Sequence, residues 1–150
     1  MKIFIDTNVF MEFFERRDRY YAVGKILDAI EDGVLEAVIS TGGIYTMTYL
    51  LTLGLKRNNI HKPQQTEKLR NALREVTNLC HVVEISHRNI IQAIDNEDFS
   101  DIEDSYQYQC ALQNECKVLV TINLRDYKHA DRTSIEILSP EEFTEKYLNF

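Results

Sequence analysis

Lys2-Ile3-Phe4-Ile5-Asp6-Thr7-Asn8-Val9-Phe10 is the stretch on which the fold reading turns. Lys2 to Ile5 is a short apolar run, read as a first strand over residues 2–6, and a carboxylate follows it at once. Strands of open α/β sheets present ligand-binding residues at their carboxyl ends. A second acidic group, Asp101-Ile102-Glu103-Asp104, opens a helix about a hundred residues later. A third element, Thr121-Ile122-Asn123-Leu124-Arg125-Asp126-Tyr127, follows another apolar run. Three such positions bearing oxygen donors suggest a divalent metal site.

Working outward, the chain alternates strands and helices. Asp18 is the expected N-cap of a helix whose Val23, Ile26, Leu27 and Ile30 form one apolar stripe, closed by Gly33. Glu36 to Ser40 reads as a second strand. A long helix through Ile44, Met47, Thr48 and Leu51 follows, and Pro63 separates it from one carrying Leu69, Ala72, Leu73 and Val76. Cys80 to Ile85 is the third strand. Ser86 caps a helix expected to be buried through Ile90, Ile91 and Ile94. Ser100 and Glu103 read as a capping box. Lys117 to Thr121 and Ser134 to Leu138 complete the strands, and Ser139-Pro140-Glu141-Glu142 opens the last helix as a second capping box. This order predicts an α/β fold of three layers, an α/β/α sandwich around a mainly parallel sheet of about five strands. No repeat or linker divides residues 1–150, so one domain is expected.

Composition is that of a soluble globular protein, with 44% hydrophobic and 27% charged residues. No apolar run approaches the roughly 18 residues of a membrane span. Met1 leads straight into the first strand, leaving no room for a signal peptide. Cys80, Cys110 and Cys116 are odd in number and lack metal spacing, which suits reduced core thiols and a cytoplasmic setting. The net charge of −7 is unlike that of a nonspecific nucleic-acid coat. It is compatible with a nuclease whose acids surround a cation, and with a basic peptide partner.

Magnesium and manganese prefer hard oxygen donors. A bound ion of this kind activates water and stabilises charge developing on a phosphodiester. Each acid also has a plainer role. Asp6 suits a helix cap with Asn8 assisting, Asp101 and Asp104 offset a helix dipole, and Glu103 belongs to the capping box. Asp126 and Asn123 are ordinary turn formers. Asp104, however, shares a face with Tyr108 and Ala111 and is expected to point inward, where a carboxylate needs a partner or a metal.

Ile3-Phe4-Ile5-Asp6-Thr7-Asn8-Val9, Phe99-Ser100-Asp101-Ile102-Glu103-Asp104-Ser105 and Val118-Leu119-Val120-Thr121-Ile122-Asn123-Leu124-Arg125-Asp126-Tyr127 resemble, in order and spacing, the motifs of PIN domains. These include the toxin ribonucleases of VapC-type toxin–antitoxin pairs. The resemblance implies a ribonuclease dependent on Mg2+ or Mn2+, an RNA substrate, an antitoxin partner and a homodimer. Asp6 and Asp104 match the first acid and the acid of the later helix. Asn123 stands where many members have the last Asp, with Asp126 just beyond. The catalytic set implied is Asp6, Asp104 and Asp126, and Asn123 joins these as metal ligands. Asn8, Asp101 and Glu103 are supporting. PIN nucleases usually carry a Glu early in the helix after the second strand, a place falling near Thr46 here. No Asp or Glu occurs from Ala37 to Thr66. Fewer anionic ligands hold a divalent ion more weakly, so the alternative is a catalytically weakened PIN-like module binding RNA or protein.

Lys56 and Arg57, in a basic stretch running to Lys62, and Arg125 and Lys128, with His129, are candidate phosphate contacts. Tyr45, Tyr49, Tyr106 and Tyr108 have the spacing of core or interface packing rather than base stacking. No zinc-type spacing, phosphate loop or G-x-S-x-G elbow is present. A phosphotransfer protein also places Asp after its first strand. It would want a second Asp at Asn8, or an acidic pair and a late Lys, and neither is seen.

Overall fold

Alternate residues of β1 (Lys2–Ile5) enter two different cores in the computed structural model, which describes residues 1–149. Ile3 and Ile5 face one way and Phe4 the other, because side chains on a strand alternate between faces. β2 (Glu36–Ser40) and β4 (Val118–Val120) repeat the pattern: Ala37, Ile39, Val118 and Val120 join Ile3 and Ile5, while Val38 and Leu119 join Phe4. A sheet apolar on both faces must be covered on both, which is the three-layer arrangement.

The sheet has the order β3-β2-β1-β4-β5, and every pairing is parallel. β3 spans Cys80–Val83 and β5 spans Glu136–Leu138. One face is covered by α1 (Thr7–Phe14), α2 (Tyr20–Glu31), α3 (Thr41–Arg57), α4 (Gln64–Leu79) and α7 (Pro140–Tyr147). Their buried anchors include Phe10, Ile26, Met47, Val76 and Phe143. The other face is covered by α6 (Ile102–Gln113), through Tyr108, Cys110 and Ala111, together with Phe99 and Tyr127. α5 (His87–Asp95) packs against α6, and Ser105 donates to the Ala93 carbonyl at 2.7 Å.

Several local expectations hold. Gly33 ends α2 with φ +77°, its N–H donating to Ile30 and that of Val34 to Ala29, a Schellman motif. Ser86 caps α5, and Ser139 and Glu142 form the capping box of α7. Others are corrected. α2 begins after Arg19 with no side-chain cap, so Asp18 does not cap it. Asp101, not Ser100, caps α6, accepting from the N–H groups of Glu103 and Asp104. Ile91 and Ile94 are 46% and 51% exposed, because α5 rests on α6 through Ala93. Tyr45 and Tyr49 also point outward, at 75% and 63% exposed, so neither packs in the core. No described helix is long and apolar enough to cross a membrane.

Two glycines should respond to alanine with opposite signs. Gly33→Ala forces a side chain into left-handed backbone, costing about 1–2 kcal/mol. Gly54 lies inside α3 with open space around it, so Gly54→Ala should gain roughly 0.5–1 kcal/mol. Thermal unfolding should show the first lowering Tm and the second raising it.

Candidate functional site

Strand order reverses between β1 and β4, and the chains leaving these neighbours diverge to open a crevice. Asp6 stands at its floor. Its N–H continues the sheet to the Val120 carbonyl at 3.0 Å, and its carboxylate caps α1 by accepting from the Thr7 N–H at 2.8 Å. The other carboxylate oxygen accepts from Thr121 Oγ1 at 2.9 Å, which itself accepts from the Asn123 N–H at 3.0 Å. Two longer contacts complete the set, from Gln107 Nε2 at 3.5 Å and the Tyr127 hydroxyl at 3.4 Å. Burial pushes the Asp6 carboxyl above its usual range, while its donors pull it back.

Asp104 comes from the first turn of α6, on its inward face, and is 7% exposed. The same Tyr127 hydroxyl reaches Asp104 Oδ1 at 3.4 Å. One phenol carries one proton, so it donates to only one of these two carboxylates at a time. Tyr127 is completely buried, and burial and the flanking charges hold its phenol well above its usual value. The other oxygen, Asp104 Oδ2, is shut off from water with no hydrogen-bond partner among the described residues. Burial, followed by repulsion from Asp6, Asp101 and Asp126, pushes the Asp104 carboxyl up to about 8.

Carboxylate oxygens of Asp101, Asp104 and Asp126 lie within 4.8 Å of one another. Asp101 therefore has two tasks, capping α6 with one oxygen while sharing this cluster. The crevice holds a cavity of about 250 Å³ whose walls include Asp6, Asn8, Thr46, Asp101, Glu103, Asp104 and Asn123. Seven of the expected positions thus meet in one place. Asp126 reaches the acidic cluster but lines a neighbouring hollow with Arg125, Lys128 and His129. Lys56 and Arg57 are not in this group. They end α3 ten residues beyond Thr46, about 15 Å along the axis at 1.5 Å per residue. Glu103 is not held in a capping box and stands exposed at the cavity wall.

Sequence reasoning passed over Gln107. It is buried three residues after Asp104 on α6, and links Asp6 and Thr7 to Ser40, whose hydroxyl donates to Gln107 Oε1 at 2.6 Å. A polar residue at i+3 from an inward acid was the available signal. Ser40 in turn caps α3 through the Gly43 N–H. A Cβ on Gly43 would stand 3.0 Å from Thr7 Oγ1, so α3 starts close against the head of α1.

The sequence model of the PIN domain matches residues 2–125. The chain belongs to the PIN domain family. The matched segment ends one residue before Asp126. This PIN domain is 27% identical to Ribonuclease VapC1 of Aquifex aeolicus (strain VF5), in an alignment of 152 residues covering 97% of this chain and 95% of that protein. Its fold is similar to a crystal structure of VapBC2 from Rickettsia felis bound to a DNA fragment from their promoter. That match has a TM-score of 0.65 at 14% identity, covering 93% of this chain and 98% of the other. It is also similar to VapBC-1 from nontypeable Haemophilus influenzae, with a TM-score of 0.60 at 16% identity, covering 94% and 99%.

The raised Asp104 carboxyl makes a stability prediction. Its folded value lies above the unfolded one of about 3.9, so the contribution is full below pH 4 and is lost as pH rises toward 8. In chelator, Asp104→Asn should raise Tm more at pH 8 than at pH 5. Equal shifts at both pH values would contradict the strained carboxyl.

Proposed function

We propose that this PIN domain is a divalent-metal-dependent ribonuclease that hydrolyses RNA phosphodiesters, acting as the toxin of a toxin–antitoxin pair. The observation that carries the reading is the bare Asp104 oxygen beside Asp101 and Asp126, with Asp6 across the Tyr127 hydroxyl. Carboxylates so close repel one another unless protonated or neutralised by a cation. Hard oxygens without a cysteine or histidine among them fit Mg2+ or Mn2+. Family membership and the name of the Aquifex relative support RNA cleavage; the VapBC complexes among similar folds support an antitoxin partner.

Asp104, Asp101 and Asp126 would hold the ion. Asp6 would join them, since the Tyr127 hydroxyl that reaches Asp104 also reaches Asp6 Oδ2. Asn123 supplies a neutral oxygen donor from the β4 end. A divalent cation there supplies Lewis-acid activation of water and charge stabilisation at the phosphate. The fixed donors Thr7, Thr121 and Gln107 keep Asp6 aimed and ready, so little reorganisation accompanies the reaction. Asn8 shares the cavity wall with Asp6. We further read residues 1–150 as one domain acting in the cytoplasm as a homodimer. Arg125 and Lys128 would steady phosphates beside Asp126. Lys56 and Arg57 would meet RNA only well away from the cleavage point.

Thr46 and Asn123 line the cavity where carboxylates are usual, and this favours a second reading, a weakened module that binds RNA or protein. Two measurements decide. RNA incubated with manganese should be cut by the wild type, and Asp6→Asn should slow cutting by at least about tenfold, the lower bound for disturbing even a supporting residue of a metal site. Calorimetry should show manganese binding that Asp104→Asn removes. Cleavage unchanged by Asp6→Asn overturns the nuclease assignment. Absent manganese binding favours the weakened module.

A further inference from the structure

The cavity has two unlike ends. Sheet order places the carboxyl ends of β3, β2, β1 and β4 side by side. At the β1–β4 end stand Asp6, Asp104 and Asn123. Toward β3 the walls are Ile85, which follows that strand, and Ile90 of α5, with Tyr106 of α6, the helix packed on α5. Two strand spacings, about 10 Å, separate β3 from β1. Nothing in the proposed hydrolysis uses the apolar end. The Tyr106 ring is half-buried there, and no other aromatic ring pairs with it among the described residues. Thr46 adds a hydroxyl to the same walls from α3, the helix that follows β2, the strand between β3 and β1.

The geometry points to a nucleobase site: the apolar end seats one unstacked base of a single-stranded RNA, flat against Tyr106 and flanked by Ile85 and Ile90, while a phosphate of the same strand lies over the acids. This deepens the ribonuclease reading and rests on it. The occupant must join an anion, which the acidic end takes through a cation, to a flat apolar group a short distance away. A nucleotide unit is such a molecule. Single-stranded RNA is recognised by splaying a base onto an aromatic side chain and bonding its polar edge. The hydroxyl of Thr46 and the amide of Asn8 are uncharged edge partners within the same walls. A paired base is already stacked and bonded, so duplex RNA cannot enter. Tyr106 is a specificity residue in this scheme and takes no part in the hydrolysis.

The test uses the full chain and three probes: a fluorescein-labelled single-stranded RNA octamer, its duplex, and a ribose–phosphate octamer without bases. Binding is read by fluorescence anisotropy in calcium, and cleavage is read separately in manganese. The wild type should bind the single strand roughly 5- to 150-fold more tightly than the baseless strand, the range that base–aromatic stacking gives. Tyr106→Ala should shrink that gap, a non-additive cycle. Tyr106→Phe keeps the ring and should restore the gap, which separates stacking from loss of fold. Equal binding of the two strands by the wild type overturns the base site and leaves the apolar end to a protein side chain. A gap unchanged in Tyr106→Ala overturns it as well. If RNA binds with the expected gap but is not cut in manganese, the ribonuclease reading fails while the base site stands. If RNA is cut without the gap, the reverse holds.

Discussion

Two buried carboxylates share one tyrosine hydroxyl, and the rest of the architecture serves to hold them there. Asp6 and Asp104 each lie 3.4 Å from the Tyr127 oxygen. In the low dielectric of the interior such a charged pair is costly, and burial first, then repulsion from Asp6, Asp101 and Asp126, pushes the Asp104 carboxyl up. A fold keeps strain of this kind where it is tied down on several sides. Here α1 is capped by Asp6, α6 by Asp101 and α3 by Ser40. All three caps meet in the network that fixes the acids.

That network spans the chain. Asp6 comes from the first strand, Ser40 from the second, Gln107 and Asp104 from α6, and Thr121 and Tyr127 from the segment around β4. The parallel sheet brings them together because every strand runs the same way, so all their carboxyl ends lie on one edge. The switch in strand order between β1 and β4 then leaves a gap above Asp6 that no crossover helix fills. Fold and site share one topological cause.

Much of this was legible in the linear chain. Asp6, Asp101 and Asp104 are visible because each sits at an element boundary, marked by a change from apolar run to polar turn. The Thr121–Tyr127 segment is marked in the same way. Gln107 is marked only by its place at i+3 from an inward acid, and its pairing with Ser40 is not visible, because it joins residues 67 positions apart and no local pattern encodes it. Ile91 and Ile94 misled for a different reason. Helical periodicity shows that a face is apolar but not what covers it, and α5 leans on a neighbouring helix rather than on the sheet. The register of the α6 cap failed by one residue: Ser100 and Asp101 are both good caps, and the choice depends on backbone direction alone. Lys56 and Arg57 stand apart from the acids, since a helix of 17 residues carries its last turn far from its first.

In the function proposed, this edge of the sheet holds a divalent cation between far-separated acids. Anomalous diffraction from a crystal soaked in manganese tests it most directly. A manganese peak is expected in contact with Asp104, with Asp101, Asp126 or Asp6 completing its shell. An ordered crystal with no peak at Asp104, or with manganese only at other acidic groups on the surface, would contradict it.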